Sequence, residues 1–111
     1  MSKPTKLSKR QGLRFMAEDF GFRYKTEFEE GGGVLANISG GGCAARNLSV
    51  PLALQEKVLL ILPVDDGEEA VEVGARVIRV DGSITALIFE QVGEENKQRI
   101  IRFFARRQRS G

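Results

Sequence analysis

Histidine is absent from the 111-residue chain. That removes the commonest general base at neutral pH and the commonest metal ligand. Cysteine occurs once, as Cys43, so no internal disulfide can form, and one cysteine without histidine cannot build a structural zinc site. A reducing cytoplasm is the expected compartment. Long apolar runs are missing too. The longest, Val58 to Val64, falls far short of the ~20 residues that cross a bilayer. The N-terminus is basic and polar, unlike a secretory signal. The phosphate-loop pattern G-x-x-x-x-G-K-[ST] occurs nowhere. These absences point to a binding module rather than an enzyme, with no metal, no cofactor and no membrane span expected.

What is present suits one domain. Hydrophobic residues make up 41% of the chain and charged residues 29%, enough for a single modest core. Net charge is only +2, but it is segregated. Residues 1–14 carry Lys3, Lys6, Lys9, Arg10 and Arg14 with no acid, and residues 97–109 carry six basic residues with no acid. The other 6 basic residues share positions 15–96 with all 15 acidic ones, a net of −9. A body of that sign repels polyanions, while its basic ends can grip a compact one. For the C-terminal run, cations that complement a helix C-terminus are the simpler account.

Alternation marks the strands. Phe20, Phe22, Tyr24 and Phe28 share a parity, which predicts a half-buried strand over 20–29. Gly31-Gly32-Gly33 is expected to turn the chain into a second strand, 34–38. The run Lys57–Leu62 reads as a strand buried on both faces. Asp65 to Glu69 lacks calcium-loop spacing and reads as a solvated turn. Val71, Val73, Ala75 and Val77 alternate with polar residues or glycine, and Asp81-Gly82 predicts a hairpin turn into a partner strand. Six strands joined by tight turns suggest an antiparallel barrel. The period then changes: Ile100, Phe103 and Phe104 fall at i, i+3 and i+4, acidic residues precede them and arginines follow. This predicts one amphipathic helix over about 94–108, with its aromatic stripe packed on the barrel.

Two segments invite a chemical reading. Arg10 and Arg14 lie in a polar arm where no core requires arginine, and a guanidinium fork pairs bidentately with phosphate or with the guanine O6/N7 edge. Four residues apart and extended, the two span roughly 13 Å. In Asn37-Ile38-Ser39-Gly40-Gly41-Gly42, the Asn and Ser side chains leave one face of a strand, and the glycines let a ligand approach the backbone. The same residues suit an ordinary turn after a strand, and this segment alone leaves both readings open.

Taken together, R-x-x-x-R ahead of the first strand and N-x-S-x-x-G at the end of the second resemble the PilZ domain family. The resemblance covers nearly the whole chain. It implies an all-β fold with one helix: a six-stranded antiparallel PilZ-type β-barrel and a C-terminal amphipathic α-helix. It implies a flexible basic arm, 1–14, in front of a barrel-and-helix unit, 15–111. It also implies a receptor for the bacterial second messenger cyclic di-GMP, signalling through an unidentified downstream protein. Arg10 and Arg14 would contact phosphates and guanine edges, and Asn37, Ser39 and Gly42 would line a guanine pocket at the barrel mouth. Lys9, Gly41 and Arg79 are possible secondary contacts. The chain departs from the family where an aromatic is often found near Arg79, and has Ala86-Leu87-Ile88-Phe89 where a Gly-Val-x-Phe-like strand is common. Two other functions stand beside this one. One is a PilZ-like adaptor that binds proteins and no nucleotide; the other is an RNA-binding barrel that uses Phe20, Phe22 and Tyr24 as stacking platforms. The acidic middle opposes the latter, so nucleic acid is not expected as a partner.

Overall fold

The computed structural model describes residues 14–65 and 67–110. Among these residues six strands are followed by one helix: β1 (Arg14–Lys25), β2 (Glu30–Ser39), β3 (Gly42–Arg46), β4 (Lys57–Leu62), β5 (Val71–Asp81), β6 (Ile84–Gln91) and α1 (Glu94–Ser110). They close into an antiparallel barrel in the order β1-β2-β3-β6-β5-β4, with β4 pairing back onto β1. This is the expected architecture, and closure leaves no unpaired sheet edge.

The alternating residues of β5 do what their period predicts: Val71, Val73, Ala75 and Val77 are all buried. In β4 the outcome differs from expectation. Val58, Leu60 and Leu62 point inward, but Leu59 and Ile61 are only half-buried. A barrel wall has one interior face, and α1 does not cover this part of the other.

Strand β1 starts earlier than the aromatic alternation suggests. Phe15 and Ala17 are buried, and so are Phe20, Phe22 and Tyr24, so the inward parity switches from odd to even between them. Pairing with β2 slips there, between Met16 and Phe20, and Asp19 takes a left-handed φ of 66°. Aspartate tolerates that conformation better than most residues. Arg14 is therefore the first residue of β1, paired with Ser39, while Lys9 and Arg10 lie outside the described residues.

The β1–β2 turn also corrects the expectation. Phe28 does not share the buried face; it is 85% exposed. The strand stops at Lys25 because Thr26 closes a turn: its N–H donates to the Glu29 carbonyl at 2.8 Å, and its Oγ1 accepts from the Phe28 and Glu29 N–H groups. Gly31–Gly33, expected as the turn, lie within β2 instead. A Cβ on Gly31 would sit 2.6 Å from the Tyr24 ring, and one on Gly33 would sit 2.7 Å from Leu48. These glycines make room for side chains packed over them. At the β5–β6 hairpin, Asp81 pairs with Ile84, so the turn residues are Gly82 and Ser83, with Gly82 at φ +62°.

Both barrel ends are covered. Helix α1 lies across the end where β1 begins and β2 finishes: Gln108 accepts from the Met16 N–H, and Arg99 donates to the Glu69 carbonyl at 2.6 Å. Ile100 and Phe104 are buried there, and Phe20 meets Phe104 and Phe103 edge-on at centroid distances of 5.0 and 5.7 Å. Burying each of the larger of these side chains contributes about 1.5–3 kcal/mol. Strands β3 and β4 stand opposite each other in the ring, so the 47–56 connection must cross the other end, and Leu52 is buried in the core from it. Among the described residues, no helix is long and apolar enough to cross a membrane.

Candidate functional site

Two irregularities build a concave site on the outer wall. In β2 the register against β3 slips between Leu35 and Asn37. Leu35 and Ile38 remain inward and fully buried, so Ala36 and Asn37 both face out. In β5 the register against β6 slips between Val77 and Arg79. Val77 is buried, while Ile78 and Arg79 are both exposed. Each β-bulge thus places two successive side chains on one surface, where strict alternation would place one.

Between these bulges lies a cleft of about 620 Å³, bordered by Arg14 at one rim and Arg79 at the other. That volume is within the ~300–1,000 Å³ usual for small-molecule sites. Asn37, Ser39, Gly41 and Gly42 line it, so every described residue singled out by sequence comes to this one site. Arg10 and Lys9 cannot be located, lying outside the described residues. The cleft runs along the barrel wall from the β2–β3 turn, where Ser39, Gly41 and Gly42 stand at the barrel end. Its floor is made of small groups, with Ala44 of β3 paired to Ala86 of β6. Ile78, Ile84 and Ile88 supply apolar walls. Among the described residues no aspartate or glutamate lines the cleft, although residues 15–96 carry a net charge of −9. Two guanidiniums over a low, apolar floor make a site for a flat anion.

The individual residues act differently from one another. Ser39 holds the turn: its Oγ accepts from the Gly41 N–H at 3.2 Å and donates to the Gly42 carbonyl at 3.4 Å. A Cβ on Gly42 would lie 2.5 Å from the Leu87 carbonyl oxygen, so this glycine is needed for the close approach of β3 to β6. Gly41 is the open one. It is exposed, and a Cβ there meets nothing within 4 Å. Asn37 is half-buried and its amide makes no hydrogen bond to protein among the described residues. Beneath the floor, Cys43 is buried, and burial pushes its thiol from an ordinary 9.0 up to about 12. No group of three or more His, Cys, Asp or Glu among the described residues could hold a metal ion.

Sequence reasoning did not find the alanine floor or the isoleucine walls. The trace they leave is Ile78-Arg79-Val80, where the alternation of β5 breaks down. Conversely, Phe20, Phe22 and Tyr24 are core residues, which removes the stacking platforms an RNA-binding barrel would need.

Comparison with known proteins agrees with this architecture. The fold is shared with the PilZ domain of CeSA from a cellulose-synthesizing bacterium, at TM-score 0.65 and 21% identity over 85% of this chain and 96% of that one. It is shared with the Bacillus subtilis inhibitor of motility MotI/DgrA, at TM-score 0.69 and 22% identity over 90% of this chain and 52% of that one. It is also shared with K. pneumonia MrkH, solved as a c-di-GMP complex, at TM-score 0.63 and 18% identity over 84% of this chain and 48% of that one. The chain thus spans about half the length of the latter two proteins. Comparison with curated proteins gives no match. A sequence model of the PilZ domain matches residues 8–106, and the chain belongs to the PilZ domain family.

Proposed function

We propose that this protein is a cyclic di-GMP receptor that binds the dinucleotide in the cleft between Arg14 and Arg79. The observation that carries the proposal is the cleft itself, a concavity with a guanidinium on each rim and no carboxylate among its described lining residues, in a domain whose residues 15–96 are acidic in net charge. Membership of the PilZ family and a fold shared with MrkH, whose structure holds c-di-GMP, support the same ligand.

Each part of the site has a role in that reading. Arg14 pairs with a phosphate or with the O6/N7 edge of guanine, and Arg10 supplies the second fork four residues earlier, with Lys9 beside it. Asn37 offers a free amide to a base edge. The Ala44–Ala86 floor lets a flat base lie close to the sheet, and Ile78 and Ile88 exclude water from its sides. Gly41 gives the ligand access to backbone, while Ser39 and Gly42 keep the turn and the strand spacing that hold the wall in shape. The role is binding rather than catalysis, with the output passed to a partner protein. Such a receptor works in the bacterial cytoplasm, where the lone Cys43 thiol stays reduced.

Calorimetric titration with cyclic di-GMP tests the assignment. The wild type should bind at micromolar affinity or tighter. Arg14→Ala and Arg10→Ala should each weaken binding by about ten- to a hundredfold, the worth of one charge-assisted contact. Wild-type affinity in both variants would remove the arginines from the site. Trypsin gives a second readout, because Lys6, Lys9, Arg10 and Arg14 are all cleavage points. A ligand bridging the arm to the wall should protect these bonds selectively, and unchanged cleavage with nucleotide bound would show that the arm takes no part.

A further inference from the structure

On the barrel face carrying β1, β4 and β5, a second concavity adjoins the β1–β2 turn. It measures about 420 Å³, with Lys25, Lys57, Leu59, Gly74 and Ala75 among its lining residues. Leu59 of β4 pairs with Lys25 on one side and Gly74 on the other, so the row across the sheet is cation, apolar side chain, gap. Thr26, which closes the turn, also borders this cleft. Two residues further along the turn stands Phe28, 85% exposed, between Glu27 and Glu29.

An aromatic ring held in water by a hydrogen-bonded turn is unusual and needs a reason. Its backbone is already ordered: the Phe28 and Glu29 N–H groups donate to Thr26 Oγ1 at 3.2 and 3.0 Å. A rigid, exposed aromatic of this kind is the residue type that dominates protein–protein contacts, because little conformational freedom is left to lose on binding. The charges around knob and hole are opposite. Two carboxylates flank the ring and two ammonium groups flank the cleft, and none of the four makes an ion pair among the described residues. The remaining carboxylate at the cleft, Glu90, is held by Arg76 at 2.5 Å.

We infer that the chain self-associates through a two-fold contact in which Phe28 of each copy enters the other copy's Leu59–Gly74 cleft. Glu27 and Glu29 then face Lys25 and Lys57 across the contact. A knob and a hole side by side on one surface satisfy what an isologous interface requires: the same patch serves both partners, and each contact occurs twice. The inference is independent of nucleotide binding, since the cyclic di-GMP cleft lies between the β2 and β5 bulges and shares no lining residue with this one.

Sedimentation equilibrium over a wide concentration range, without nucleotide, tests it. The wild type should pass from monomer to dimer, and Phe28→Ser should weaken association by roughly tenfold or more. Phe28 is so exposed that its removal should leave the thermal midpoint unchanged at concentrations where both proteins are monomeric, which separates lost contact from lost fold. A charge exchange adds a second arm. The Lys25→Glu, Lys57→Glu variant and the Glu27→Lys, Glu29→Lys variant should each be monomeric alone and should associate when mixed. A wild type that stays monomeric at the highest concentration overturns the proposal, as do dimers of Phe28→Ser with wild-type affinity. Reversed-charge variants that fail to associate on mixing also overturn it.

Discussion

Tyr24 and Val50 are joined twice: the tyrosine hydroxyl donates to the Val50 carbonyl at 2.5 Å and accepts from the Val50 N–H at 3.0 Å. One buried side chain on β1 thus satisfies both backbone groups of a residue in the 47–56 connection, which crosses the barrel end with no sheet of its own. Ser49 adds a neighbouring pair, its N–H donating to the Gly32 carbonyl and its Oγ accepting from the Gly32 N–H. Tyr24→Phe keeps the packing and removes the hydroxyl, leaving the Val50 N–H without its partner. We expect a loss of about 1–2 kcal/mol in urea unfolding. An unchanged midpoint would mean that Leu52 burial and the Ser49–Gly32 hydrogen bonds hold the crossing segment without the tyrosine hydroxyl.

Two adjacent glycines should behave oppositely. Gly42→Ala would put a methyl group 2.5 Å from the Leu87 carbonyl, and the strands must separate, which costs about 1–3 kcal/mol by analogy with overpacked cores. Gly41→Ala meets nothing within 4 Å and should leave the melting temperature unchanged. Equal melting temperatures for the two variants would contradict the close β3–β6 approach.

Selectivity follows from the arginine forks. Cyclic di-AMP should bind at least ~10-fold more weakly than cyclic di-GMP, because adenine presents an N6 donor where guanine presents the O6 acceptor. Competition showing equal affinity would mean that the cleft reads phosphates and not bases.

Cys43 should be unreactive in the folded protein, and its ionisation should influence stability only at alkaline pH. Burial raises its thiol to about 12 from 9.0. The folded chain therefore keeps the proton while the unfolded chain releases it above about pH 9. Stability from this group is full below pH 9 and declines as pH rises from there towards about 12. Cys43→Ala should flatten the alkaline fall in unfolding free energy across that window. A thiol reagent should react with the wild type only as fast as the protein unfolds, and rapid labelling at pH 8 would contradict the burial.

The sequence by itself determined the barrel-and-helix class and pointed to residues that come together at the candidate cleft. The parity of Phe20, Phe22 and Tyr24, the Val71–Val77 alternation and the Ile100/Phe104 spacing each report which side of an element meets the core. Burial acts on every such residue in the same way wherever the strand lies. Arg14, Asn37, Ser39 and Gly42 were legible because their chemical types are costly or unneeded in a plain strand. Only the tertiary structure decided what depends on a neighbour distant in the chain. The bulges at Ala36 and Ile78 arise from the register against β3 and β6, and a one-residue slip resets the parity of everything beyond it. Phe28 changed from an expected core residue to an exposed one because Thr26 closes a turn after Lys25 and takes it out of the strand. The glycines show this most directly: Gly31 is required by the Tyr24 ring and Gly42 by the Leu87 carbonyl. An absent side chain records that something must come close, and the fold alone shows whether that is a ligand or another strand.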